Sequence, residues 1–260
     1  MSIKKHIKKL IKGTIIEKPI MQLNSMWYYL RYPQLRKGKK YDQQTKIVFQ
    51  KILHKNSNCI DVGANQGEIL QMMYEFAPEG KHFAFEPIPS LYEKLKMRFP
   101  QVTVFNEALS DKPGTLSFFH VISNNGFSGL KKRPYLTENP DIEEIKVNVT
   151  TLDSSIPEET SIDLVKIDTE GAEMGVILGA EKLIERVRPI IIFEFEKKAA
   201  SVYENTDPVL LFNFFDSKFY KVSTMKNWLE QSPSLSKDAF LELYNSEKEF
   251  YFMAYPETRK

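Results

Sequence analysis

Acidic side chains and glycines occur together where an apolar run of this sequence breaks into a turn. Asp61 closes the run, and Gly63 and Gly67 follow it four residues apart. Glycine lacks a Cβ, so the backbone can take positive φ and a ligand can approach it closely; Asn65 is the next best residue for that conformation. A helical pattern of apolar residues follows at once, which predicts a strand, a tight loop and a helix that could hold a small charged ligand.

A second acid ends the next apolar run. Glu86 stands nineteen residues after Gly67 and is followed by Pro87. A βαβ unit places a carboxylate here against the two hydroxyls of a ribose. The glycine spacing is not the G-x-G-x-x-G of dinucleotide-binding folds, which argues against a dinucleotide. For the glycine segment alone, an ordinary βα turn is the alternative.

The same order of strand, acid, loop and helix recurs at 165–173, and a further buried strand is predicted at 190–195. Four motifs in this part of the chain, D-V-G-A-N-Q-G, F-E-P, T-L-D and K-I-D-T-E-G-A-E, resemble in this order the FkbM family of S-adenosylmethionine-dependent methyltransferases. The resemblance covers 59–195, and its last motif is the most specific. Asn65, where many class I methyltransferases carry glycine, agrees with the FkbM pattern.

The resemblance implies an α/β class I methyltransferase fold, which is Rossmann-like, with a seven-stranded, mostly parallel sheet and helices on both faces. It also implies O-methylation of a hydroxyl, often on a sugar, glycan or polyketide-like secondary metabolite. The implied S-adenosylmethionine site consists of Asp61, Gly63, Asn65, Gly67, Glu86 and Pro87, with Glu107 and Ala108 near the adenine.

Because a sulfonium methyl is already a strong electrophile, the protein must mainly align the reactants and remove a proton from the acceptor hydroxyl. Asp168, Glu170, Glu173, Glu194 and His120 are the candidate bases, and Asp168 leads by its position at a strand end. Glu173 could equally complement a helix dipole. We expect the lysine within the 162–168 strand to pair with one of these acids.

A polar segment at 123–129, inserted between two strands, is typical of a binding loop. In the family a similar serine-containing segment lies near the acceptor, so Asn124, Asn125 and Ser128, together with Glu170, are the predicted acceptor-binding residues. The acids could instead hold Mg²⁺, which binds few protein oxygens. The spacing permits a metal but does not indicate one, so we expect none.

Apolar periodicity also predicts the elements that position these residues. Helices are expected at 42–54, 66–77, 89–98, 172–186, 207–217 and 236–244, and strands at 59–62, 82–87, 102–105, 115–121, 145–152, 162–168, 190–195, 219–223 and 250–255, the last one antiparallel.

Composition narrows the class of protein. The 260 residues are 42% hydrophobic and carry a net charge of +2, which suits one α/β domain and gives no argument for a polyanionic partner. The single cysteine excludes an intramolecular disulfide, and in a core strand it is expected to be a buried small hydrophobe. No apolar run approaches the roughly 20 residues of a membrane span, and the first residues lack the apolar region typical of a signal peptide, so we expect a soluble cytoplasmic protein.

The first 41 residues are predicted to be a helical extension of a methyltransferase domain at 42–260. Lysines and apolar residues interleave over 1–12, where the segment could contact an anionic membrane surface or pack on its own domain or a second subunit. Aromatic and basic residues at 21–40 could form a helical lid packed on the core, bind nucleic acid or stack on sugars. A nucleic-acid methyltransferase is therefore the second hypothesis, although the N/D-P-P-Y/F signature is missing, and an inactive or dinucleotide-binding scaffold is the third.

Overall fold

The computed structural model describes residues 34–135, 140–204 and 206–257. The predictions for the basic and aromatic segments at 1–33 therefore lie outside the described residues. In chain order the elements are α1 (Gln34–Ile52), β1 (Cys59–Val62), α2 (Glu68–Phe76), β2 (His82–Phe85), α3 (Pro89–Arg98), β3 (Thr103–Phe105), β4 (Glu107–Leu109), β5 (Gly114–Val121), β6 (Ile142–Thr150), α4 (Leu152–Ser155), β7 (Leu164–Ile167), α5 (Glu173–Leu178), α6 (Glu181–Val187), β8 (Ile190–Glu194), α7 (Lys197–Ala200), α8 (Pro208–Ser217), β9 (Tyr220–Ser223), α9 (Met225–Leu229), α10 (Lys237–Asn245) and β10 (Tyr251–Pro256).

A seven-stranded sheet carries the fold, in the order β3-β2-β1-β7-β8-β10-β9. Its strands are parallel except β10, which runs antiparallel to both of its neighbours. Every residue of β1, β2 and β7 is buried, as expected for parallel strands with both faces covered. The predicted sheet and its antiparallel last strand are confirmed.

The cysteine of β1 behaves as predicted. Cys59 is fully buried and forms no disulfide. Burial raises the pKa of its thiol well above the usual value, and the nearby Asp163 and Asp61 carboxylates add to the effect. The thiol therefore stays neutral and acts as a small apolar side chain.

The predicted continuous helix at 172–186 is wrong, because the chain forms two helices, α5 and α6. At the break, a Cβ on Gly179 would stand 2.2 Å from the carbonyl oxygen of Ser110. The Asp153 carboxylate accepts the backbone N–H groups of Lys182 (3.0 Å) and Leu183 (2.8 Å). The acid of the T-L-D motif thus satisfies free donors at the start of α6.

Other boundaries also differ from the predictions. Helix α1 begins at Gln34 rather than Asp42, β6 ends at Thr150, and α4, α7 and α9 were not predicted. The strands β4, β6 and β5 form a second sheet, in which β4 pairs with β6 in parallel and β5 pairs with β6 antiparallel. The sequence predicted the strands β5 and β6 but not β4, the third strand of this sheet.

The chain divides into two compact units, one ending at Lys46 and the other running from Ile47 to Lys260. The predicted boundary between 41 and 42 stays a prediction. No helix among the described residues is both long and apolar enough to cross a membrane.

Candidate functional site

The loop between β1 and α2 is fixed to the carboxyl end of β2. Backbone N–H groups of Gly63 and Ala64 donate to the carbonyl oxygen of Phe85, at 3.0 and 3.1 Å. Asn65 has φ 48° and Gly67 has φ 82°, so both adopt the left-handed conformation expected from the sequence. Backbone hydrogen bonds and these φ angles therefore fix the conformation of the loop without a bound ligand.

The two glycines are required by packing against protein atoms. A Cβ on Gly63 would lie 1.9 Å from the carbonyl oxygen of Asp168, and one on Gly67 would lie 2.7 Å from the side chains of Leu95 and Phe99. The space that these Cβ atoms would fill is thus occupied by protein and is not free for a ligand. Gly63 allows the loop to pass directly over the end of β7.

We expect Gly63→Ala to lower the free energy of unfolding by about 2 to 5 kcal/mol, since left-handed strain costs about 1 to 2 kcal/mol and overpacking about 1 to 3 kcal/mol. The matched control is Gly114→Ala, because a Cβ there would meet nothing within 4 Å. Urea unfolding of both variants measures the difference. Equal losses would contradict the packing requirement.

Glu86 binds both sides of its own turn. It is 4% exposed, and its two carboxylate oxygens accept the N–H groups of Asn65 and Ile88, each at 2.8 Å. Asn106 donates to the backbone carbonyls of Glu86 and Pro87, both at 3.0 Å. Burial raises the pKa of Glu86 to about 7, against the lowering effect of the two N–H donors.

Asp61 lies beneath the same loop and is 1% exposed. Burial raises its pKa to about 7; Lys166 and a hydrogen bond from the Leu70 N–H lower it, and Asp168 raises it. The N-cap residue of α2 is Gly67, which has no side chain to accept a hydrogen bond. Asp61 instead accepts from the Leu70 N–H, which has no partner within the first turn of the helix. Within the described ranges, Asp61 Oδ2 and Asn65 Oδ1 are buried oxygens without a hydrogen-bond donor.

A second group of ionisable residues meets at the carboxyl ends of β7 and β8. Asp168 Oδ2 accepts from Lys166 Nζ at 3.1 Å and from the hydroxyl of Tyr251. Lys166 is only 1% exposed, whereas 30% of the Asp168 side chain is exposed. Tyr251 belongs to β10, opposite Glu194 in the register of the sheet. The predicted pairing of Lys166 with an acid is confirmed.

The pKa values of Asp168 and Glu194 are shifted in opposite directions. Burial disfavours the charged form of Asp168, but Lys166 and hydrogen bonds from Tyr251 and Glu194 hold its pKa below the usual value. Burial, followed by the repulsion from Asp168, raises the pKa of Glu194 well above its usual value. When the pair holds a single proton, Glu194 therefore binds it in preference to Asp168, whose carboxylate keeps its charge.

The other two acids of the last motif are occupied within the protein. Glu173 Oε1 accepts from the backbone N–H and hydroxyl of Thr169 and from the Gly171 N–H, at 2.9 to 3.1 Å. Burial raises the pKa of Glu173. Glu170, predicted to bind the acceptor, forms an ion pair with Arg133, which also binds Glu196. Glu173 thus fixes the turn after β7.

The predicted acceptor loop is ordered by the residues proposed to bind the acceptor. Asn124 accepts the N–H of Gly126 at 3.2 Å, Ser128 accepts that of Val121 at 2.9 Å, and Asn125 bonds the imidazole of His120 at 2.9 Å. The loop contains a short 3₁₀ turn at Asn125–Phe127. A Cβ on Gly126 would lie 3.7 Å from the side-chain nitrogen of Asn65, so this loop adjoins the Gly63–Gly67 loop.

The residues predicted near the adenine lie in β4. Ala108 is 7% exposed and belongs to an apolar cluster with Ile88 and Leu91, directly after the Glu86–Pro87 turn. Glu107 is half-buried. Both stand beside the turn that holds Glu86, and their binding roles remain predictions.

A separate cavity of about 610 Å³ lies along α5 and α8. Its lining includes none of the residues predicted to bind the cofactor and neither Asp168 nor Glu194. It is lined by Ser110, Asp111, Lys131, Ala172, Met174, Gly175, Leu178, Tyr203, Glu204, Thr206, Leu210 and Phe214.

Sequence reasoning missed Tyr251, Asn106 and Arg133 as members of the site. Tyr251 is 83 residues from Asp168, and an aromatic residue in a last strand gives no signal of a polar role. In residues 34–135, 140–204 and 206–257, no group of three or more histidine, cysteine or acidic side chains has an arrangement suited to a metal ion.

Two characterised relatives match part of the chain. The AMB antimetabolite synthetase AmbE of Pseudomonas aeruginosa is 27% identical in an alignment 194 positions long, which covers 60% of this chain and 9% of that protein. The 2-O-methyltransferase NoeI of Sinorhizobium fredii is 28% identical in an alignment 145 positions long, which covers 50% of this chain and 59% of that protein. The chain thus covers less than two thirds of either relative.

Among solved structures, the methyltransferase FkbM from Methylobacillus flagellatus gives a TM-score of 0.49 at 13% identity, over 78% of this chain and 44% of that one. A TehB-like SAM-dependent methyltransferase from Corynebacterium glutamicum gives 0.43 at 11% identity, over 89% and 98%. The profile of the methyltransferase FkbM domain matches residues 61–221. That match spans more than half of the sequence and includes the Asp61, Glu86 and Asp168 motifs, so this chain belongs to the FkbM methyltransferase family.

Proposed function

We propose that the protein is an S-adenosylmethionine-dependent O-methyltransferase that acts on a hydroxyl of a sugar, glycan or secondary metabolite. The observation that carries this proposal is the Asp168 carboxylate, held ionised yet partly exposed at the strand ends. The name of NoeI, a 2-O-methyltransferase, supports a hydroxyl acceptor.

The residues around the first loop fit S-adenosylmethionine. Asp61 Oδ2 and Asn65 Oδ1 have no donor among the described residues, and such buried oxygens are costly unless a ligand donor meets them. Asp61 would take the ammonium group, and Glu86, whose oxygens each keep a free lone pair beside their backbone N–H bonds, would accept from the ribose hydroxyls. The bound cofactor supplies an electrophilic methyl group.

On the acceptor side, the protein must take up a hydroxyl proton. Asp168 is charged and solvent-accessible, so it can accept that proton as the new O–C bond forms. Lys166 and Tyr251 hold the carboxylate in place. Asn124, Asn125, Ser128 and Glu170 are proposed to contact the acceptor after displacing some of their present partners.

A methyl-transfer screen with labelled S-adenosylmethionine tests the function directly. Nucleotide sugars, glycans, hydroxylated metabolites and RNA are offered in parallel, each with EDTA and with Mg²⁺. We expect transfer to a hydroxylated small molecule or glycan, with no need for Mg²⁺. Methylation of RNA alone would overturn the acceptor class, and calorimetric binding of NAD but not S-adenosylmethionine would overturn the enzyme class.

Cofactor affinity should depend on pH. Asp61 and Glu86 have pKa values raised to about 7, and both must be ionised to accept cofactor donors. The affinity should therefore be full above pH 7 and fall as the pH decreases through it, by about tenfold per pH unit for each group. Calorimetry with S-adenosylhomocysteine between pH 5.5 and 8.5 measures this profile. A flat profile would contradict the assigned contacts.

A further inference from the structure

We propose that Lys166 is a positioning residue whose ammonium group stabilises the charged form of two carboxylates at once, Asp61 on the cofactor side and Asp168 on the acceptor side. This inference deepens the proposed function and rests on it for the roles of the two acids. It makes one buried ammonium group common to both halves of the site.

The sheet itself brings the three residues together. Strands β1 and β7 are parallel neighbours, and Asp61 is the direct partner of Lys166 in their register. Asp168 follows Lys166 by two residues, so its side chain emerges on the same face as that of Lys166. Lys166 therefore has one acid beside it on the adjacent strand, Asp61, and another just beyond the end of its own strand, Asp168.

The contacts of Lys166 fix its ammonium group beside Asp168 and Tyr251. Its Nζ donates to Asp168 Oδ2 at 3.1 Å, to the Ile167 carbonyl at 3.3 Å and to the Tyr251 hydroxyl at 3.5 Å. It also lies 4.7 Å from the centre of the Tyr251 ring. A buried charge persists only with such partners, and Lys166 is 1% exposed.

Acids face this cation from several elements. Glu68 at the start of α2 and Asp168 both raise the pKa of Asp61. Asp61 in turn raises the pKa of Glu86, which follows β2. Asp168 faces Glu194 of β8 and Tyr251 of β10, and Glu173 of α5 faces both Asp168 and Glu194. These neighbouring carboxylates disfavour additional negative charge in the cluster. Lys166 has the opposite effect and lowers the pKa of both Asp61 and Asp168.

Tyr251 provides a matched control within the same cluster. Its hydroxyl bonds Asp168 and lowers the pKa of that residue, but Tyr251 is not among the groups that shift Asp61. Removing the hydroxyl should thus disturb the acceptor side alone. Removing the ammonium group should disturb both sides.

The experiment compares Lys166→Met with Tyr251→Phe in the full chain. Calorimetry with S-adenosylhomocysteine gives the pH midpoint of cofactor affinity, and turnover at saturating cofactor gives the acid limb of methyl transfer. In Lys166→Met we expect both to move upward by about one to three pH units, the usual effect of losing a close opposite charge. In Tyr251→Phe we expect only the turnover limb to move.

Three results would overturn the proposal: unmoved profiles in a folded Lys166→Met variant, a shift of the turnover limb alone in that variant, or equal shifts of both profiles in Tyr251→Phe. If Lys166→Met does not fold, the Lys166 side chain is followed in the native protein by ¹⁵N NMR of its Nζ. Its resonance should respond to the titration of Asp61 near pH 7; an insensitive resonance would overturn the proposal. Because affinity and NMR need no acceptor, they decide on Lys166 even if no hydroxyl is methylated and the proposed function fails.

Discussion

Asp168→Asn is expected to lower the turnover of methyl transfer by about a hundredfold or more, the usual contribution of a general base. The amide is nearly isosteric and can still accept from Lys166 and Tyr251, which bind the carboxylate in the native protein. It cannot take the hydroxyl proton. The affinity for S-adenosylhomocysteine, measured by calorimetry, should change by less than about threefold, or roughly 0.6 kcal/mol.

Two further variants make this result specific. Asp163→Asn changes the same residue type at the amino end of β7, where the carboxylate accepts the Asn58 N–H at 2.8 Å, and should leave turnover unchanged. Glu194→Gln copies the neutral form that burial and Asp168 impose on Glu194, so it should lose much less than Asp168→Asn. If Glu194→Gln is the more damaging of the two, the base is Glu194. If both retain near-normal turnover, His120 is the next candidate.

The sheet could be predicted because its determinants are local. The central strands are buried four-residue segments, largely apolar, with an acid inside β1 (Asp61) and directly after β2 and β7 (Glu86 and Asp168). Burial on both faces favours such segments in parallel strands. The acids at the strand ends could also be predicted, because they directly adjoin these apolar segments in the sequence. Whether Glu173 supports the turn or takes part in chemistry could not be decided from spacing, and its three hydrogen bonds to residues 169–171 place it in the turn.

The parts that could not be predicted depend on distant contacts. At the break between α5 and α6, Gly179 lies against the backbone of Ser110, nearly seventy positions earlier in the sequence. The hydroxyl of Tyr251 reaches Asp168 only because β10 inserts antiparallel beside β8. Likewise, a ligand was the natural reason for Gly63, whereas the structure puts the Asp168 carbonyl where its Cβ would be. Periodicity reports which side of an element is buried but not what lies against it.

Glu86→Ala should weaken the binding of S-adenosylmethionine by roughly ten to a hundredfold, since removing a charged acceptor of two hydrogen bonds costs about 1.5 to 3 kcal/mol. The structure adds a complication, because Glu86 also accepts the N–H groups of Asn65 and Ile88. The same loss could therefore arise from a displaced loop. Asn106→Ala is the matched control, since Asn106 holds the carbonyls of Glu86 and Pro87 without a predicted ribose contact.

A cofactor analogue separates the two explanations. A site built to bind a ligand hydroxyl discriminates against an analogue that lacks it, so the native protein should bind 2′-deoxy-S-adenosylhomocysteine more weakly than the parent compound. In Glu86→Ala that difference should shrink toward zero, whereas in Asn106→Ala it should persist even if both affinities fall. The two proteins and the two ligands form a thermodynamic cycle. The energy of the contact between the Glu86 carboxylate and the ribose hydroxyl is obtained from that cycle and not from the loss of affinity in one variant or with one ligand. If Glu86→Ala keeps the native discrimination, the carboxylate acts through the loop and the ribose is bound by another group.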